Sequence, residues 1–86
     1  MTTTLLPSDR ILTPRRIEIL VLAANGHTNL QIAQKLFIGE ESVKSHFQVI
    51  KRHLGARDRT HAIAIALVRG LIHPHQINLL PPKEPQ

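Results

Sequence analysis

Between Glu40 and Leu54 the apolar side chains Val43, Phe47, Ile50 and Leu54 recur at steps of four, three and four residues. On a helix those steps fall in one narrow stripe. Glu41, Ser45, Gln48 and Arg52 project from the opposite side, with Lys44 and Val49 on its flanks. One face is therefore built to bury. The other offers a basic edge, an amide and a small hydroxyl, the donors and acceptors that can read base edges in a DNA major groove. Taken alone the stretch describes an ordinary amphipathic surface helix equally well, so its neighbours must decide.

Those neighbours predict three more helices. Thr13 is a good N-cap and Pro14 suits a first helical position, which starts a helix at Pro14. Leu12 before the cap can staple to Ile17. The run Ile17–Ala24 reads alone as either buried strand or helix, and the caps and the Asn25-Gly26 stop favour helix over 14–24. Thr28 with Gln31 three residues on is a capping box, opening a short second helix that ends near Leu36. Phe37-Ile38-Gly39 is the turn, with Ile38 directed inward and Gly39 capping the third helix, whose first turn carries Glu40 and Glu41 where the dipole favours acids. Gly55 ends that helix. Asp58 caps a fourth, running from Arg59 to about Arg69, and Gly70 stops it. Its centre, Ala62–Val68, has no polar residue. Ala62, Ala66 and Gly70 make a close-packing face and Ile63 and Leu67 an adjacent ridge, so a homodimer through this helix is expected, with Ile63, Ala66, Leu67 and Gly70 at the interface. Residues 1–11 read as a flexible arm, 12–72 as the domain and 73–86 as a proline-rich tail.

Composition narrows the partners. The 86 residues carry a net charge of +5 and a sequence pI near 10.9, which favours a polyanion. From Lys44 to Arg59 the basic residues Lys44, Lys51, Arg52, Arg57 and Arg59 stand against the single acid Asp58. His46 and His53 lie in the same stretch and could gain charge near phosphates, with His46 read as a phosphate contact or a helix-packing residue. With two Phe, no Tyr and no Trp there are no aromatic platforms for stacked single-stranded bases. No cysteine supplies a disulfide or a thiolate-bound zinc. The opening Met1-Thr2-Thr3-Thr4 has no basic leader, and no apolar stretch approaches the ~20 residues that span a bilayer, so a cytoplasmic protein is expected. Glu40 and Glu41 point about 100° apart and make a poor acid–base pair. No nucleophile frame or phosphate-cradling glycine loop occurs, so no enzyme, no metal and no cofactor is expected.

The ordered set Leu12-Thr13-Pro14-Arg15, Ile19-Leu20, Ala24-x-Gly26, Asn29, Ile32-Ala33, Leu36-x-Ile38, Ser42-Val43-Lys44-x-His46, Ile50, Leu54-Gly55, Arg59, Ala62, Ala66 and Gly70-Leu71-Ile72 resembles the LuxR-type helix-turn-helix domain of LuxR, NarL, FixJ and GerE proteins. The spacing matches without gaps from Leu12 to Ile72, in the manner of the stand-alone, GerE-like form. The resemblance implies an all-α, four-helix fold without winged elements, and a DNA-binding transcriptional regulator whose third helix enters the major groove. Carried over, Lys44, Ser45 and Gln48 become base readers. Val49 is added from the helical wheel as an apolar contact to a thymine methyl. Phosphate contacts are expected from Thr28, Asn29, Ser42, His46, Lys51 and Arg52.

The departures from that family are Arg16 where a Glu is usual, Leu30-Gln31 for Lys-Glu, Gly39 for a Ser or Thr cap, His53 for Lys, and apolar Ile17 and Val21 at polar positions. The missing Glu removes a capping box with Thr13 and an ion pair for which Arg59 is the expected partner. Arg57 and Arg59 themselves read equally as solvated, cap-related or phosphate-facing. A competing function follows from the same residues: a protein-interaction module on a helix-turn-helix scaffold, gripping another regulator or an RNA polymerase subunit.

Overall fold

The computed structural model describes residues 12–78. The expected arm at 1–11 and residues 79–86 of the expected tail lie outside them. Four helices follow in order: α1 (Pro14–Ala24), α2 (Asn29–Leu36), α3 (Glu40–Leu54) and α4 (Arg59–Val68). Among the described residues there is no strand, which is the all-α, four-helix class.

Local chemistry sets each boundary. The Arg16 amide donates to Thr13 Oγ1 at 3.3 Å, and Pro14 occupies the first turn, so α1 keeps one half of its N-terminal cap. The capping box of α2 is complete: Thr28 Oγ1 accepts from the Gln31 amide (3.1 Å) and Gln31 Oε1 from the Thr28 amide (2.9 Å). α2 stops at Phe37, a non-glycine residue at φ 58° and ψ 44°. The Ile38 amide then reaches back to the Ala33 carbonyl (3.0 Å), the bond that closes a left-handed helix stop. Gly39 gives α3 no side-chain cap, and Glu40 and Glu41 fill its first turn. At the other end Gly55, at φ 69°, lets the Ala56 amide reach the Lys51 carbonyl (2.9 Å). Asp58 Oδ1 accepts from the His61 amide (2.8 Å) to begin α4.

α3 packs against all three other helices. Its stripe of Val43, Phe47, Ile50 and Leu54 is buried and meets Ile19 and Leu20 of α1, Ile32 of α2 and Ala62 and Ala66 of α4 in one core. Burying each large aliphatic of this set contributes roughly 1.5–3 kcal/mol, and α3 supplies the most of any helix. The helix with the most exposed polar chemistry on its far side is thus also the one most firmly held.

Two expectations change. Ala66, expected at a subunit interface, is 0% exposed and packs wholly within the chain's own core. The periodicity that groups it with Gly70 is that of intrachain packing, so Ala66 has no surface to offer a second subunit. Ile63 and Leu67 are half-buried, Gly70 is exposed, and Val68 is 87% exposed. Beyond Ile72 the chain does not leave the domain at once. Pro74–Gln76 forms a 3-10 turn. Asn25 Nδ2 donates to the Gln76 carbonyl (3.1 Å), and the Asn78 amide donates to Asn25 Oδ1 (2.6 Å). The packed chain therefore extends six residues past the boundary expected at Ile72. Leu12, Ile17, Val21 and Gln76 line one shallow cleft alongside α1.

Candidate nucleic-acid interface

α3 has two flanks because of its pitch. Residues 42, 46 and 49 run along one side and residues 44, 48 and 51 along the other, three to four apart. The structure gives each flank a neighbour from another helix. Lys44, Gln48 and Lys51 share a shallow groove with Asn29 and Arg59. Ser42, Ser45, His46 and Val49 share one with Glu41 and Arg16. Lys44, Ser45, Gln48 and Arg52 are exposed, while Val49 and Lys51 are half-buried. Each expected base reader thus lies on the side away from the buried stripe.

Arg59 builds the first flank. Its guanidinium donates to Asn29 Oδ1 and to the His27 carbonyl, and its central carbon lies 4.8 Å from the centroid of the Phe47 ring. One side chain from α4 therefore ties the start of α2 to the middle of α3. A planar fork can do all three at once, with two N–H bonds in its plane and the ring against its face. Half-burial pulls the Arg59 pKa below its ordinary value through desolvation. With Oδ1 held by Arg59, the Asn29 amide keeps its Nδ2 donors for another acceptor. Thr28, committed to its capping box, holds the α2 terminus in place rather than offering a loose hydroxyl. Lys44 pairs with Glu41 at 3.4 Å, and both side chains are well exposed. Such a pair is worth roughly 0–1 kcal/mol, so Lys44 can leave it for a stronger acceptor at little cost.

The second flank is built around His46. His46, which the sequence offers as a phosphate contact or a helix-packing residue, sits half-buried with Arg16 Nε donating to its Nδ1 at 3.1 Å. Desolvation lowers its pKa below the ordinary 6.5, and Arg16 and then Arg15 lower it further. The bond makes Nδ1 the acceptor and leaves the proton of the neutral ring on Nε2. His46 thus accepts from Arg16 through Nδ1, and its surroundings disfavour the charged ring. Position 16 therefore faces His46 of α3, and Arg59, its expected neighbour, is engaged elsewhere. Both contacts join residues 30 apart, and helical periodicity carries no signal for either. Ser42 and Arg52 are exposed as expected. Among the described residues no three His, Cys, Asp or Glu side chains gather to hold a metal, and no helix is long and apolar enough to cross a membrane.

Residues 10–66, about two thirds of the chain, match the GerE family, bacterial regulatory proteins of the luxR family. The uncharacterized transcriptional regulatory protein YxjL of Bacillus subtilis is 40% identical over 60 residues, 70% of this chain and 28% of that protein. The quorum sensing-dependent transcriptional regulator RpaR of Rhodopseudomonas palustris is 49% identical over 61 residues, 71% of this chain and 25% of its own length. The transcriptional regulatory protein DegU of Brevibacillus brevis is 36% identical over 62 residues, 72% of this chain and 26% of its own. The chain thus spans about a quarter of the length of these curated relatives. With four helices in this order and a family match over most of them, the chain belongs to the luxR family of bacterial regulatory proteins and carries its helix-turn-helix domain.

Proposed function

We propose that the protein is a sequence-specific, double-stranded DNA-binding transcriptional regulator acting in the cytoplasm, with α3 lying in the major groove. One observation carries the reading: α3 is anchored by four buried side chains while Lys44, Ser45, Gln48 and Val49 keep accessible surface on the other side. Lys44 donates to guanine O6 and N7, Gln48 pairs with adenine N6 and N7, Val49 meets a thymine methyl, and Ser45 adapts to either. Asn29 Nδ2, Ser42, the Nε2–H of His46, Lys51 and Arg52 contact phosphates and fix register, while Thr28 holds the α2 amides in place. Two chains pair through the accessible side of α4, formed by Ile63, Leu67, Val68 and Gly70, and bind half-sites about one helical turn apart.

The test is selection of duplexes from a random library with the intact chain, read together with its solution mass. A defined site and a dimeric mass are expected. Gln48→Ala should relax preference at one base pair, and Arg52→Ala should weaken all sequences alike. If Gln48→Ala leaves every base preference as it was, the docking of α3 is wrong. A second reading, a protein-interaction module that grips a regulator or polymerase subunit, is favoured by Phe37, 93% exposed in the turn between α2 and α3. Absence of any duplex binding at low salt would favour it.

A further inference from the structure

Asn25 closes α1, and Gly26 follows it. Asparagine is among the heat-labile residues, and its weak point is attack on Cγ by the amide nitrogen of the next residue. A glycine there has no Cβ to obstruct the approach. Gly26 stands at φ 88°, with nothing within 4 Å of the place a Cβ would take. The Asn25 carboxamide, however, is half-buried and tied on both sides. Nδ2 donates to the Val21 carbonyl (2.8 Å) and the Gln76 carbonyl (3.1 Å), and Oδ1 accepts from the Asn78 amide (2.6 Å). Both Nδ2 hydrogens are thereby used. The Gly26 amide is itself occupied by the Ala23 carbonyl at 3.0 Å. Of the bonds that hold the carboxamide, those from Gln76 and Asn78 come from the last stretch of the described chain.

We propose that Asn25 is a site of spontaneous deamidation guarded by residues 76–78, and that its conversion loosens the turn from α1 to α2. When Gln76 and Asn78 lift away, the carboxamide is released to rotate onto the Gly26 nitrogen. That nitrogen gives its proton to solvent and bonds to Cγ. The Cγ–Nδ2 bond breaks, and Nδ2 takes up a proton and leaves as ammonia. Water then opens the cyclic succinimide. Cleavage of the new Cγ–N bond gives an aspartate side chain. Cleavage at the main-chain carbonyl gives isoaspartate, whose backbone is longer by a methylene. Either product loses the Nδ2 donors and gains a carboxylate, which only accepts. The aspartate sets that carboxylate against the carbonyls of Val21 and Gln76. The isoaspartate displaces Gly26 and His27, whose amides reach back to Ala23 (3.0 Å) and Leu22 (3.2 Å). The His27 carbonyl accepts from Arg59, which also holds Asn29, so the change is passed to the start of α2. The chemistry does not depend on how α3 meets DNA.

The experiment incubates the full chain at mildly alkaline pH, below its melting temperature, and follows each asparagine by peptide mass spectrometry. Asn25 should convert, while Asn29 and Asn78, each followed by leucine, should stay intact. Asn78→Pro removes the amide that Oδ1 accepts from. Ile77 already has the extended backbone (φ −101°, ψ 126°) that a residue before proline takes. This variant should convert on the order of tenfold faster, as loss of one hydrogen bond implies. Gln76→Ala removes the Oε1 that accepts from the His73 amide at 2.7 Å, loosens the turn that presents the Gln76 carbonyl, and should speed conversion by a smaller factor. A thermal melt checks that each variant folds, and Gln76→Ala carries the comparison should Asn78→Pro fail to. Converted chain, separated by ion exchange, should melt below the unaltered chain and exchange the amides of Asn29–Gln31 faster. If the folded variants convert no faster than the unaltered chain, the guard is overturned. If Asn25 stays intact in all of them, the site is overturned. If converted chain melts and exchanges as before, the loosening is overturned.

Discussion

Arg59→Ala is the substitution that most directly tests how the helix-turn-helix is held. It removes two charge-assisted hydrogen bonds, to the His27 carbonyl and Asn29 Oδ1, and the contact over the Phe47 ring. Hydrogen bonds to charged groups contribute about 1.5–3 kcal/mol each, and a guanidinium over an aromatic face about 0.5–2 kcal/mol. Arg59 is only half-buried, so water can reach the abandoned acceptors and the lower ends apply. Together they give a loss of about 3.5 kcal/mol. A domain of this size has a total stability of roughly 3–10 kcal/mol, so the variant should be marginal at best. Urea unfolding followed by far-ultraviolet circular dichroism measures the loss as a lower midpoint at unchanged slope. Arg59→Lys keeps the charge but cannot give two in-plane bonds and a flat face together, and should fall between the two. If Arg59→Ala unfolds within about 0.5 kcal/mol of the unaltered chain, the brace is incidental and the α2–α3 angle is set by core packing alone.

Phe37→Gly should stabilise the fold: the residue is 93% exposed at φ 58°, so little burial is lost, and relief of roughly 1–2 kcal/mol of left-handed strain exceeds the ~0.5–1 kcal/mol of added chain entropy. A rise of a few degrees in melting temperature is expected, and a fall would mean that Phe37 makes a stabilising contact. For His46, proton NMR titration should give a midpoint below 6.5, set first by desolvation and then by Arg16 and Arg15, and Arg16→Gln should move it upward. Because the folded state holds the proton more weakly than the unfolded chain, the contribution of His46 to stability is complete above pH 6.5 and is lost as pH falls through 6.5 toward the folded midpoint. A midpoint at or above 6.5 would refute the assigned environment.

The helices were legible in the sequence because their ends are written in short-range chemistry. Thr13-Pro14, the Thr28–Gln31 box, Gly55 and Asp58 act within three or four residues of themselves, and the bounds of α1 and α3 follow residue for residue. The buried stripe of α3 follows from the same periodicity. Long polar side chains that cross between helices were not legible. Arg59 read equally as solvent, cap or phosphate contact, and Arg16 as the mere loss of an acid, because their partners lie 30 residues away. The link from Asn25 to Gln76 spans 51 residues and is equally silent in any local pattern. Ala66 shows a different limit. Alternating small residues say that a helix is closely approached, but not whether the approaching surface belongs to the same chain.

Leu12 and Gln76 line a single cleft beside α1, and no residue of α3 joins them there. The described residues therefore begin and nearly end beside one cleft. A fluorescent label carried on Gln76 would sit beside α1, at a cleft that no α3 residue lines. The Asn25 clasp pins Gln76 and Asn78 to the end of α1, so this part of the chain is held where α1 stops.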